Sequence, residues 1–224
     1  MSTLLTKRSR LPFTISPLTA EDMPQFAEGQ LTAFGERMYD VLEPPEVRTH
    51  PEIRYRRFAA RHLPLLKFPS ERPMKAVVTE TDGQQKIAGV AWWHVPGSAI
   101  DNRQKRNVER MSEETEEEKE SWRDFNWEKW NEMLGGYDKK RKEIMGDEPH
   151  WYVGPVWTRP EYQGQGIASA LLDEVIQIAD STNPPTPMYL EASPKGQPVY
   201  AKAGWVRIDG TETAMLRRGP AEQK

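Results

Sequence analysis

Arg159-Pro160-Glu161-Tyr162-Gln163-Gly164-Gln165-Gly166-Ile167-Ala168 is the stretch on which the reading of this chain turns. The residues before it, His150–Thr158 (HWYVGPVWT), are aromatic and β-branched, the composition of a strand. Those after it, Ile167–Ala179, place Ala168, Leu171, Leu172, Val175, Ile176 and Ala179 on one helical face. The run is therefore a loop from strand to helix, with glycines at 164 and 166. Glycine lets the backbone approach a ligand with no side chain in the way. The first amides of a helix lack internal partners, and the helix dipole adds positive character at that end. A loop of this kind suits a pyrophosphate.

Two other phosphate loops fit poorly. No Gly-Lys-Ser/Thr ending is present, which excludes a Walker loop. The dinucleotide fingerprint requires a third glycine at position 169, occupied here by Ser169, and an early place in a βαβ unit.

Moving outward, Pro184, Pro185 and Pro187 form a stiff connector to a strand at Met188–Ala192. A short helix over Pro198–Ala203 stops at Gly204, and Trp205–Ile208 begins a last strand that Thr213–Arg217 extends or pairs with. On the other side, Leu11–Leu18 reads as a strand, and Thr19-Ala20-Glu21-Asp22 opens a helix through Met23, Phe26, Ala27 and Gln30. A second helical stretch runs through Phe34, Met38 and Val41 to Pro44-Pro45, and a third covers 46–67. Met74–Thr81 and Ile87–Val95, joined at Asp82-Gly83, form an antiparallel hairpin.

Residues 98–149 differ in character: 15 are Asp or Glu and 11 are Lys or Arg. The run at 109–120 cannot be buried, so it is a solvated helix or a disordered segment. Trp122, Trp130, Met133, Leu134 and Tyr137 share one helical face, with Trp127 at its margin, so the second half packs down through its aromatic residues.

The loop resembles the acetyl-CoA loop of the GNAT acetyltransferases, Gln/Arg-x-x-Gly-x-Gly/Ala, with Gln163, Gly166 and Ala168 at its fixed positions. A second block, Leu190-Glu191-Ala192-Ser193-Pro194 through Val199-Tyr200-Ala201-Lys202-Ala203-Gly204-Trp205, resembles the family's later strand and "Tyr-x-Lys-x-Gly-aromatic" pattern at the expected spacing. The resemblance covers 150–208 well and 11–95 loosely, and 98–149 stands outside it as a helical insertion in one domain spanning 1–224, a fungal-type arrangement. It implies an α/β fold with a mixed, mostly antiparallel sheet of six or seven strands, flanked by helices.

The resemblance also assigns roles. It places CoA pyrophosphate on the amides of Gln163, Gly164, Gln165, Gly166, Ile167, Ala168 and Ser169. It pairs the pantetheine arm with Val156, Trp157 and Thr158, and puts Ser193 and Tyr200 beside the donor. The implied activity is transfer of the acetyl group of acetyl-CoA to a primary amine of a small molecule. A protein lysine or N-terminus and a non-catalytic CoA-binding module are the alternatives. Tyr200 matches a tyrosine that protonates the departing thiolate. A base is needed for the attacking ammonium, with Glu191 and His150 ahead of Glu148 and His94.

Bulk properties set the remaining limits. Net charge is −3 over 224 residues, with no basic surface of the kind nucleic acid selects. No cysteine is present, which excludes disulfides, thiolate metal sites and a cysteine nucleophile. The four histidines and the acids show no metal-ligand spacing, so no metal is expected. No apolar run approaches membrane-spanning length. The expected location is the cytoplasm. A mitochondrial presequence stays open because no acid precedes Glu21, although Pro12 and Pro17 oppose a sustained helix there. A homodimer is also left open.

Overall fold

The computed structural model describes residues 11–220. The first ten residues, where the presequence expectation falls, lie outside the described residues. In chain order the elements are β1 (Phe13–Pro17), α1 (Met23–Phe34), α2 (Glu36–Tyr39), α3 (Pro51–His62), β2 (Glu71–Thr79), β3 (Gln85–His94), α4 (Glu116–Ser121) and α5 (Trp127–Met145). There follow β4 (Trp151–Thr158), α6 (Ile167–Asp180), β5 (Met188–Glu191), α7 (Gln197–Lys202), β6 (Val206–Arg207) and β7 (Ala214–Arg217). The strands form one seven-stranded sheet in the order β1-β2-β3-β4-β5-β7-β6. Every neighbouring pair is antiparallel except β4 with β5.

One face of the sheet carries Trp93, Trp151, Val153, Met188 and Leu190 against Leu171, Leu172 and Val175 of α6. The other carries Val90, Trp92 and Trp157 against Phe26 and Ala27 of α1 and Phe58 of α3. Farther along that second face, Met145 of α5 packs on Tyr152 and Tyr189. Period-two alternation in the strands assigns these sets to opposite sides. Among the described residues no helix is long and apolar enough to cross a membrane.

The turn at Thr19 works through Asp22: the Thr19 amide and hydroxyl both donate to its Oδ2, at 2.7 and 3.0 Å. This directs α1 across the sheet so closely that a Cβ on Gly29 would lie 2.3 Å from the Trp157 indole. Gly29→Ala is therefore expected to lower stability by about 1–3 kcal/mol in urea denaturation. The overlap with a buried ring outweighs the gain of about 1 kcal/mol that alanine brings to a helix.

Three sequence expectations are corrected. The second helical stretch shrinks to the single turn of α2, because Gly35 breaks from α1 at φ 74°. The helix expected over 46–67 starts only at Pro51; the residue before a proline is disfavoured in the helical region, and His50 is extended. The aromatic face drawn through Trp122 is interrupted. The backbone turns left-handed at Asp124 (φ 58°), and α5 begins afresh where Asn126 Oδ1 accepts the Lys129 amide at 2.9 Å. Of the two readings left for the charged run, the helical one holds: α4 starts from a capping box between Thr115 and Glu118.

Candidate active site

The parallel junction of β4 and β5 lasts for two residue pairs, Trp151 with Met188 and Tyr152 with Tyr189. Beyond it β5 follows β7 while β4 continues to Thr158 beside β3, leaving one edge of β4 open. A bulge interrupts the register of β4 with β3 between Val156 and Val153, where Gly154 and Pro155 lie opposite Trp92. Pro155 has no amide hydrogen and is accommodated at this irregularity. The Arg159 amide donates to Ala88 O across the ladder at 2.8 Å. Antiparallel alternation then turns the polar backbone of Trp157 toward β3, and that of Val156 and Thr158 toward the open edge.

At the far end of this edge is the glycine loop. Arg159 fixes its foot: the guanidinium is buried, donates to Ile87 O at 2.9 Å and grips Glu28 through two bonds of 3.1 and 3.0 Å. Tyr162 is buried with its hydroxyl on Glu80. Gly164 and Gly166 adopt φ 78° and 86°, and Gly166 leads into α6 with no side chain capping the helix. The first helical bond is donated by Ala170 to Gly166 O. Among the described residues, the amides from Gly164 to Ser169 have no hydrogen-bond partner. A row of unpartnered N–H groups at the positive end of a 14-residue helix fits a pyrophosphate. The Gln163 side chain braces the turn from Thr158 O, at 3.2 Å.

Where the strands part, a second polar group faces inward. Tyr152, Tyr189 and Glu191 fall on one face because β4 and β5 are in register and 189 and 191 are two apart. The Tyr152 hydroxyl donates to Glu191 Oε2 at 3.0 Å. Glu191 Oε1 and the Tyr189 hydroxyl are buried without a partner among the described residues. Burial raises the Glu191 carboxyl to about 7, while the Tyr152 phenol and the Arg141 guanidinium hold it back from rising further. The Tyr152 ring has two further neighbours: Arg141 lies 3.9 Å from its centroid and the His94 ring stacks at 5.1 Å. Arg141 arrives on α5 and donates to Ile100 O. Asp138 on the same helix accepts from the Asn102 amide at 3.0 Å and pairs with Lys105 at 2.9 Å, clasping α5 to the loop before α4.

Tyr200 lies on α7, buried, with its ring edge-on to Trp205 at 6.0 Å. Its hydroxyl has no hydrogen-bond partner among the described residues, and burial alone pushes the phenol well above its ordinary value. The proton therefore stays on the oxygen at neutral pH.

The remaining expected site residues divide clearly. Ser193, exposed after β5, accepts the Gly196 and Gln197 amides through its carbonyl and so starts α7. The Ile167 side chain is buried in the core, leaving its amide as the group on offer. Trp157, expected beside the cofactor, turns away: its indole is buried under α1 and its backbone engages β3. His150 Nδ1 is held by Glu148 O at 2.7 Å and its ring meets Tyr189 edge-on, with no hydrogen bond to Glu191. Glu148 forms a surface pair with Arg218 at 2.9 Å. His94 bonds Glu71 at 3.1 Å. Sequence reasoning missed Tyr152, Tyr189, Arg141 and Asp138; the same-face spacing of 189 and 191 was the one available signal.

A sheet split at a parallel junction, with an anion cradle at one end and a buried carboxylate at the other, defines an acyl-CoA-type transferase. The family model described as Acetyltransferase (GNAT) family matches residues 35–205. The chain belongs to the GNAT acetyltransferase family and is an N-acetyltransferase. Its fold is shared with a Corynebacterium glutamicum structure described as histone acetyltransferase HPA2 and related acetyltransferase. That match has 22% identity and a TM-score of 0.53, covering 95% of this chain and 99% of that one. The fold is shared also with the PaiA N-acetyltransferase of Thermoplasma acidophilum, solved in complex with coenzyme A. There the identity is 14% and the TM-score 0.51, with 93% of this chain and 99% of that one covered. No curated protein sequence matches the chain.

Proposed function

We propose that this protein moves the acetyl group of acetyl-CoA to a primary amine of a small molecule, by direct attack in a ternary complex within one domain into which 98–149 is inserted. The observation that carries the reading is the open edge of β4, with unpartnered loop amides at one end and Glu191 at the other. The amides of Gly164 to Ser169 hold the pyrophosphate, and the outward backbone of Val156 with the Thr158 amide offers strand-like bonds to the pantetheine arm. The bound thioester supplies an electrophilic carbonyl and a leaving sulfur. Glu191, with a carboxyl near 7, is a base matched to neutral pH and takes the ammonium proton. Tyr200, kept protonated by burial, gives its proton to the sulfur as the carbon–sulfur bond breaks. Positioning supplies most of the remaining acceleration.

Calorimetric titration with acetyl-CoA, followed by thiol release over an amine panel, tests the reading; no heat of binding with acetyl-CoA or CoA would overturn it. Tyr200→Phe is expected to lower kcat about 10²-fold with little change in acetyl-CoA affinity. A rate near that of the parent would remove Tyr200 as the acid.

A further inference from the structure

We propose that the cavity between α5 and the turn joining β6 to β7 takes an amine borne on an uncharged, largely apolar alkyl or aryl body, and that Gly136 keeps it open; this rests on the transferase reading above. The cavity is an open cleft of about 680 Å³, with Glu191 among its lining residues. Its walls include Val41, Leu42, Met133 and Tyr137. Val41 is 58% exposed and sets an apolar side chain at the cavity's open side.

Helix α5 carries two successive glycines, Gly135 and Gly136, near its middle. Glycine is the weakest helix former after proline. Neither residue has a positive φ, and a Cβ at either would meet no atom within 4 Å. Backbone geometry and packing therefore give no reason for glycine here. Gly136 lines the cavity, so any larger side chain there projects into the space the acceptor needs.

Charge narrows the class further. Lys129 is paired with Glu132 at 2.8 Å and Lys140 with Glu143 at 2.7 Å. Among the described residues, Glu191 and Glu212 line the cavity without a salt bridge. The space attracts an ammonium and disfavours a carboxylate, so the free amine is accepted and its amino-acid counterpart refused.

The test compares tyramine, tyrosine and ethylamine by initial rates of acetyl-CoA-dependent thiol release, in the parent protein and in Gly136→Leu, with acetyl-CoA calorimetry and melting curves for both. Tyramine is expected to exceed tyrosine in kcat/KM by about 10-fold or more. Gly136→Leu is expected to raise the KM for tyramine about 10-fold, well beyond its effect on ethylamine. Acetyl-CoA affinity should stay within about 2-fold and Tm should not fall, since leucine favours a helix over glycine. Gly136→Ala, the smallest addition, should melt above the parent and confirm that the helix tolerates side chains there. Equal use of tyrosine and tyramine, unaltered tyramine kinetics in Gly136→Leu, or turnover of none of the three amines by a protein that binds acetyl-CoA overturns this inference and leaves the transferase reading in place. Failure to bind acetyl-CoA at all sinks that reading and this one together.

Discussion

Gly166→Glu is expected to raise the Kd for acetyl-CoA by about 10³-fold or more, effectively abolishing binding. Two effects add. The residue sits at φ 86°, a region where an L side chain costs roughly 1–2 kcal/mol. A carboxylate placed about 4 Å from a phosphate near the protein surface adds repulsion on the order of 4 kcal/mol. The variant remains foldable, because the loop is anchored elsewhere, by Arg159 and Tyr162. Gly164→Ala separates the two contributions. It carries the backbone strain alone, at φ 78° with open space around its Cβ, so a loss of about 10-fold is expected. Calorimetry with acetyl-CoA, with circular dichroism to verify the fold, measures both. Gly166→Glu affinity within tenfold of the parent would mean that the phosphates lie elsewhere.

Glu191→Gln should lower kcat/KM by about 10²- to 10⁴-fold, the range general-base removal spans. The parent should show an acidic limb in kcat/KM near pH 7, rising with pH as the carboxyl loses its proton. In the glutamine variant that limb disappears. Stability moves the other way. The folded pKa of about 7 lies above the ordinary 4.5, so between those values the folded state holds a proton that the unfolded state has released. Stability contributed by this group therefore falls as pH rises through that window and is level above about 7. The difference amounts to about 3 kcal/mol. Glu191→Gln removes it, and chemical denaturation at pH 8 should find the inactive variant more stable than the parent. A variant that is less stable at pH 8, or a parent rate independent of pH between 5.5 and 8.5, would remove the buried-base assignment.

Much of the sheet was legible because its signals are local. The glycine loop, the strand before it and the apolar face of α6 lie within about thirty residues and need no distant contact to be read. The later block likewise carries its own turn signal at Gly204, which adopts φ 93°. What escaped depends on long-range placement. Arg141 reaches Tyr152 only because Asp138 ties α5 to the loop at Asn102, 36 residues earlier. In sequence it is one charge among many. The orientation of Trp157 was hidden for a related reason. Alternation along β4 is visible in the sequence, but which edge is open depends on where β5 departs. The break at Asp124 was hidden because left-handed geometry at a non-glycine residue leaves little trace in composition.

Arg141 and Gly136 lie on one helix, so the element that lines the acceptor pocket also carries the positive charge set against Tyr152. Because Arg141 helps to keep the Glu191 carboxyl from rising further, loss of its charge would leave the carboxyl holding its proton more firmly. The wall of the acceptor pocket and the tuning of the base thus belong to the same helix, and a change made to one is felt by the other.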